Sequence, residues 1–432
     1  MSEALRHVQA LEASVGVSIP DLIVKETAKA KLDRALAPFK VVAAAWSGGV
    51  MLGKAGCDDL AYARLAQVVG ATGDLPEDLA DEPSLLRMIA RGLGVTEVPS
   101  DRADLLAVLA SDRCVPAFAY DLTFADVFYP DGNLTNRQGF DVVLGNPPWD
   151  RMLPADKEFF AAYEFTILDA PTKRERSGIE KRILENAEIA ASHQAYIEEF
   201  RGVEKVLKSI YAYQVAIVDG EKTIGKQDEF RAFMERNAQL LNPKGLTGVV
   251  VPSAFHANEG ATGIRKLYLE NMSLKCCYSF ENKRKIFEIH SSQKFAVVIA
   301  SRNGITDEFP CAFYLHDDEW LFADRKDRQP LSYTLDFVQK TGGEYLSLLE
   351  LQSLQDLDVA KTCFANGEAF GKVCDRLNIR LGRELNMTDD SWRFTSTSDI
   401  LTDGADPRDP NVAKKLLEMG YLILHEGKTF WH

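Results

Sequence analysis

The chain reads as an α/β protein of the Rossmann-like, doubly wound kind, with a helical region ahead of the second half of its sheet. Three observations predict this. Apolar runs of strand length recur at Phe140–Leu144, Leu246–Val251, Leu274–Phe280 and Phe295–Ser301. Helix-periodic segments separate them, notably Glu229–Leu241, with Phe230, Phe233, Met234, Ala238 and Leu241 at helical spacing, and Ala261–Asn271. The first run is closed at once by Gly145-Asn146-Pro147-Pro148, a rigid stop at the carboxyl end of a strand, where sheets of this kind carry function.

Residues 1 to about 112 read as mostly helical, since Lys25–Ala37 mixes Ala, Leu and charge without Gly or Pro. The part from Asp74 to Asp112 is acidic. The stretch Trp46–Gly53 superficially suggests a nucleotide loop, but no apolar strand precedes it and Val41–Ala45 reads as continuing helix. The region 113–302 is expected to form one sheet domain, with Phe140–Leu144 as a buried parallel strand and a helical insertion at about 151–210. Asn242-Pro243-Lys244-Gly245 reads as the turn between the 229–241 helix and the next strand. Residues 303–432 read as an irregular α+β region, with Gly342-Gly343 and Asp403–Pro410 as breaks.

Composition narrows the function classes. A 432-residue chain with 46% hydrophobic and 26% charged residues has enough apolar material for a sizeable core. No run of about 18 apolar residues is present and the first residues carry no apolar leader, so a cytoplasmic protein without a membrane partner is expected. Seven cysteines (Cys57, Cys114, Cys276, Cys277, Cys311, Cys363, Cys374) form no Cys-x-x-Cys pair, and the seven histidines are scattered. Neither a disulfide framework nor a metal site is expected. A net charge of −14 argues against a protein that coats nucleic acid, which needs clustered cations. Local basic clusters remain at Lys173, Arg174, Arg176, Lys181 and Arg182, and at Lys283, Arg284 and Lys285. Each reads equally well as a solvated face.

The loop Gly145–Trp149 carries the chemistry. Prolines fix φ, remove donors and hold the preceding residue extended, so Asn146-Pro147-Pro148 offers a stiff row of carbonyls. Two acceptors side by side, the Asn146 side-chain oxygen and the Pro147 carbonyl, suit a conjugated amine such as that of adenine. Accepting both amine hydrogens draws the delocalised lone pair out toward an electrophile. Trp149 then offers a flat face to a base swung out of a duplex. A chance Asn-Pro-Pro-Trp in a chain of this length is on the order of one in a thousand.

The run GFDVVLGNPPW at 139–149 resembles the catalytic motif of gamma-type adenine-N6 DNA methyltransferases, especially those of type IIG restriction-modification and of BREX- and DISARM-type phage defence. Residues 118–128 and 233–255 are similar to that family's flanking segments, as are 280–287 and 293–299. The resemblance implies a class I methyltransferase fold, S-adenosylmethionine as methyl donor and double-stranded DNA as partner. It implies roles for Asn146, Pro147, Pro148 and Trp149 at the target amine. It also implies an aromatic over the base's other face, for which Phe287 is the choice and Phe280 and Phe295 are rivals. Arg383–Asp390 and Leu424–Lys428 resemble the entry into the family's target-recognition region.

The chain departs from that family in one respect. The Gly-rich loop and the acidic strand end that hold the donor there are not found upstream, so no cofactor-binding residue is named. The expectation is a chain that binds the donor poorly by itself, exposes a strand edge and is completed by a polypeptide carrying the cofactor half. Two alternatives stand beside it. One is a protein-glutamine or RNA methyltransferase with the same kind of loop; the other is a non-catalytic DNA-binding or assembly subunit.

Overall fold

The computed structural model describes residues 2–13, 18–52, 59–72, 118–133, 135–170, 172–218, 220–222, 227–324, 328–380, 389–401 and 408–424, with a few isolated positions besides. Cys57, Cys114, Gly53, most of the acidic segment and residues 425–432 lie outside them, as do Arg383, Glu384, Met387 and Thr388 and the side chains of Lys173 and Arg174. Two compact units are distinguished, 1–365 and 366–432.

The first unit opens with helices α1 (Ser2–Glu12), α2 (Ile19–Leu52) and α3 (Asp59–Thr72). Residues 46–52 belong to α2, so that stretch is helix, not a loop. Short helices α4 (Tyr120–Thr123) and α5 (Ala125–Phe128) precede strand β1 (Phe140–Gly145). Helices α6 (Asp156–Ala161), α7 (Lys173–Ile183) and α8 (Ala187–Ile210) follow. The last two are N-capped by Thr172 and Asn186, whose side chains accept backbone N–H bonds of the first turn. A small hairpin, β2 (Ile217–Val218) with β3 (Glu221–Lys222), leads to α9 (Glu229–Leu240).

Strands β4 (Leu241–Pro252), β5 (Ser273–Glu281), β6 (Lys294–Ser301), β7 (Glu308–Leu315) and β8 (Leu331–Thr334) complete one six-stranded sheet, in the order β1-β4-β6-β5-β7-β8. Between them run α10 (Ala254–Ala257), α11 (Thr262–Lys266) and α12 (Glu319–Phe322); α13 (Leu335–Gly342) and α14 (Leu354–Asn366) follow β8. A π-helical turn at Leu267–Asn271 prolongs α11. The architecture is therefore mixed α/β with a helical N-terminal region.

The sheet differs from a purely parallel one. β1 runs parallel to β4 and β5 parallel to β7, but β6 is antiparallel to both β4 and β5 and sits between them. The chain turns back after β5 through residues 282–293, which hold a single 3-10 turn and no α-helix to carry a parallel crossover, and β6 returns antiparallel. Beyond residue 303, β7 and β8 extend the same sheet.

A second difference lies at Asn242-Pro243-Lys244-Gly245, which is part of β4 and not a separate turn. The register with β1 slips there: Phe140 faces Leu241, yet Val142 faces Leu246. Asn242 Oδ1 accepts the Lys244 N–H at 2.8 Å, closing a bulge within the strand.

The core lies on one face of this sheet. Phe230, Met234 and Ala238 of α9 pack with Val249 and Val251 of β4, with Ile264, Leu267 and Tyr268, and with Leu357 and Ala360 of α14. Each large side chain buried this way contributes roughly 1.5–3 kcal/mol. Phe233, on the amphipathic face read from sequence, points outward instead. The sheet's other face is open at its β1 end. Val142 and Leu144 are 51% and 77% exposed, and Leu246 and Ile299, their neighbours by register, are exposed as well. The strand expected to be buried is thus an edge with one bare apolar face, while Val143 alone of its valines packs on the core.

In the second unit, α15 (Phe370–Leu377) ends at Asn378 in the left-handed region, φ +51°. After α16 (Thr397–Ile400), α17 (Pro410–Glu418) begins with Pro at its first position and Asp409 as N-cap. Among the described residues no helix is long and apolar enough to cross a membrane.

Candidate functional site

Because β1 and β4 are parallel, both deliver their carboxyl ends to the same rim of the sheet, and Asn146–Trp149 emerge there. Gly139 permits the approach: a Cβ at that position would stand 2.5 Å from the Leu240 carbonyl oxygen and 2.7 Å from the Leu241 carbonyl carbon. Asn146 and Pro148 are exposed, Pro147 is buried and Trp149 is half-buried. The Trp149 indole N–H donates to the Val250 carbonyl at 3.4 Å, tying the loop to β4. Downstream, the Asp150 carbonyl accepts the Glu229 N–H at 3.0 Å, and the Met152 N–H donates to Gln227 O at 2.9 Å. The loop is therefore fixed at both ends, to a strand and to the head of α9, so its carbonyls are held in place before any ligand arrives.

A cleft of about 380 Å³ opens in front of Gly145–Pro148, walled by Tyr120, Phe140, Phe233 and Asn237. That volume falls within the ~300–1,000 Å³ of small-molecule sites. Among the described residues its lining is apolar apart from Asn146, Asn237, the Tyr120 hydroxyl and the backbone, and contains no carboxylate.

The aromatic candidates separate by burial. Phe280 and Phe295 are 1% and 3% exposed and stack face to face, centroids 5.3 Å apart at 11°. They form the floor. Trp149 lies over Phe295 at 6.2 Å and 29°. Phe287, half-buried on the 282–293 connection, meets Trp149 edge to face at 6.4 Å and 80° and Phe295 at 4.9 Å and 72°. Phe287 and Trp149 are thus the accessible rings of the four, and they touch each other with no slot between them.

Charge around this rim is internally paired. Lys283 pairs with Glu281, Arg284 with Asp317 at 2.8 Å, and Lys294 with Glu350 at 2.9 Å and Glu281 at 3.6 Å. The Lys283 ammonium holds the Glu281 carboxyl below its ordinary range. Lys285 is exposed, at φ +54°. On the other basic cluster, Arg182 pairs with Glu164 at 2.8 Å.

Sequence reasoning missed Tyr120 and Asn237 as walls of the cleft, because they come from elements on either side of the loop and carry no local motif. It also missed Asn282, buried at the root of the Phe287 loop. An Asn at the end of a strand is an unremarked residue until its partners are known.

Residues 203–287 match the family model described as Eco57I restriction-modification methylase. The matched segment runs from α8 through β4 and β5 to Phe287; it does not include Asn146–Trp149. No curated protein matches the chain. Among solved structures, a type I restriction-modification complex is similar at 15% identity, over 66% of this chain and 54% of that chain, with a TM-score of 0.28. The DrdV–DNA complex is similar at 13% identity, over 69% of this chain and 26% of that one, with a TM-score of 0.31. A modification subunit of a type I restriction enzyme from Vibrio vulnificus YJ016 is similar at 11% identity, over 69% of this chain and 74% of that one, with a TM-score of 0.25. The chain spans about half the length of the first and about a quarter of the second. Likeness at these scores is too distant to carry a function.

Proposed function

We propose that the chain supplies the adenine-holding part of a site-specific DNA adenine-N6 methyltransferase of a restriction-modification or phage-defence system. One observation carries the reading: Asn146 stands exposed at the carboxyl end of a strand, on a doubly anchored Asn-Pro-Pro-Trp loop whose Trp149 meets Phe287, with a cleft of about 380 Å³ in front of Gly145–Pro148 that neither ring lines. The Eco57I-type methylase match over 203–287 supports it from a separate stretch of chain.

In this reading the Asn146 Oδ1 and the Pro147 carbonyl accept the two hydrogens of adenine's exocyclic amine. The nitrogen becomes pyramidal and its lone pair points away from both acceptors. Trp149 stacks on one face of the extruded base and Phe287 covers the other. For that the two rings must part. Their edge-to-face contact is worth ~0.5–1.5 kcal/mol, whereas stacking on a base returns ~1–3 kcal/mol, so over most of these ranges the exchange is downhill.

S-adenosylmethionine is the donor this chemistry calls for, bringing an electrophilic methyl. The described lining of the cleft is a poor match for it, holding no carboxylate for ribose hydroxyls or for a sulfonium. The bare apolar edge of β1 supports the further reading that a second polypeptide adds a strand there, together with the donor site. The same facts favour, as a second reading, a non-catalytic DNA-binding or assembly subunit.

Tritiated methyl transfer to DNA, RNA and protein, with the chain alone and reconstituted with the product of the adjoining reading frame, separates these. DNA adenine labelling is expected from the reconstituted enzyme, and Asn146→Ala is expected to lower kcat by about 10²–10³. Transfer to RNA or protein with none to DNA, or full activity in Asn146→Ala, overturns the proposal.

A further inference from the structure

The 282–293 connection is held at its root by one buried amide. Asn282 follows the last residue of β5, is fully buried, and donates its own N–H to Gln293 O across the neck of the loop at 3.0 Å. Every side-chain hydrogen bond it makes goes to the far side of that loop. Its Oδ1 accepts the Phe287 N–H at 3.0 Å; its Nδ2 donates to Phe287 O and Ile289 O, both at 2.9 Å. The Ile289 N–H adds a second bond to Phe287 O at 2.8 Å. The backbone of Phe287 is thereby fixed on both sides of its Cα, while the ring meets Trp149 and Phe295 edge to face.

We infer that Asn282 is a positioning residue for Phe287: it holds the backbone that aims the ring at the base site and leaves rotation about χ1 free for the ring to part from Trp149. The inference rests on the stacking role proposed for Phe287. Two neighbours support the division of labour. Lys285 turns the chain in the left-handed region and donates its N–H to Asn282 O at 3.0 Å, so the bend of the loop is set at Asn282 too. Glu288 and residues 290–293 are exposed, and the pairing of Arg284 with Asp317 holds the loop ahead of Phe287 and not at it. A buried amide with all three of its bonds spent on one loop fixes geometry at a desolvation cost that an apolar residue would avoid.

The test is a double-mutant cycle on the full chain. The probe is a DNA duplex with a single 2-aminopurine opposite an abasic site, a base extruded without need of a recognition sequence. Stacking on an aromatic ring quenches its fluorescence, and titration reads affinity. Phe287→Ala is expected to weaken binding about fivefold or more. Asn282→Ala is expected to weaken it to a similar degree, and Phe287→Ala with Asn282→Ala together to lose nothing beyond Phe287→Ala. Asn282→Asp, which keeps size and acceptor but loses both donors, is expected to weaken binding too; it carries the test if the alanine variant does not fold.

Wild-type affinity in the Asn282 variants alongside a loss in Phe287→Ala overturns the inference and leaves the stacking role standing. Additive losses in the double variant also overturn it, because Asn282 then acts through something other than that ring. No loss in Phe287→Ala overturns the stacking role itself.

Discussion

His256 shows how much a single residue of this core does without belonging to the loop. Fully buried on α10, it shares a 3.0 Å hydrogen bond between Nε2 and Ser279 Oγ, and its Nδ1 lies 3.7 Å from a Glu350 carboxylate oxygen. Burial outweighs that carboxylate and pushes the imidazole down from 6.5 to about 4. The unfolded chain therefore takes up a proton below about pH 6.5 that the folded chain refuses until about pH 4. Stability contributed by the neutral imidazole is complete above 6.5 and is lost as pH falls across that window, on the order of 3 kcal/mol in all. Denaturant unfolding of wild type and His256→Gln between pH 4 and 7 is expected to show a steeper decline for wild type; parallel curves would mean that the imidazole is not protected. At this scale the Asn146–Trp149 loop was legible, because stiffness, acceptors and ring all reside in consecutive residues. His256 and Asn282 were not, because what each does depends on partners brought in by folding.

Among elements, strand existence was legible and strand direction was not. The runs that became β1, β4, β5 and β6 are marked by hydrophobicity, but nothing in an apolar run says which way it points; β6 returns antiparallel through a 282–293 connection that holds no α-helix. The bulge at Asn242–Gly245 misled for a related reason, since turn-forming residues close a bulge as readily as a loop. The β1 edge is the element with the clearest consequence. Val142 and Leu144 share a face with Leu246 and Ile299, so an apolar stripe runs across the sheet beside a row of backbone groups that no other described strand pairs. Leu144→Lys places a charge where the side chain is 77% exposed, so folded stability is expected to change by no more than about 0.5 kcal/mol. Self-association, followed by static light scattering against concentration, is expected to fall. Unchanged association would mean that this face is not what makes the chain adhere.

At the scale of the whole molecule, the DNA substrate proposed for the chain has to be reconciled with a net charge of −14. The described rim cations are largely paired with carboxylates of the same chain, so they offer few free contacts to phosphate. The cleft includes Val142 and Leu144 of β1, and among the described residues no carboxylate lines it. An added parallel strand at β1 would cover Leu144, extend the cleft wall and bring a donor site to the same rim in one step. Calorimetry is accordingly expected to find weak S-adenosylmethionine binding to the purified chain and tight stoichiometric binding once the complementing polypeptide is present. Leu144→Lys is expected to abolish the gain, because the lysine would have to be buried beneath the new strand's partner surface. Tight stoichiometric binding by the chain alone would sink this account, and it would do so without touching the amine-holding role proposed for Asn146, which rests on the loop and not on the edge.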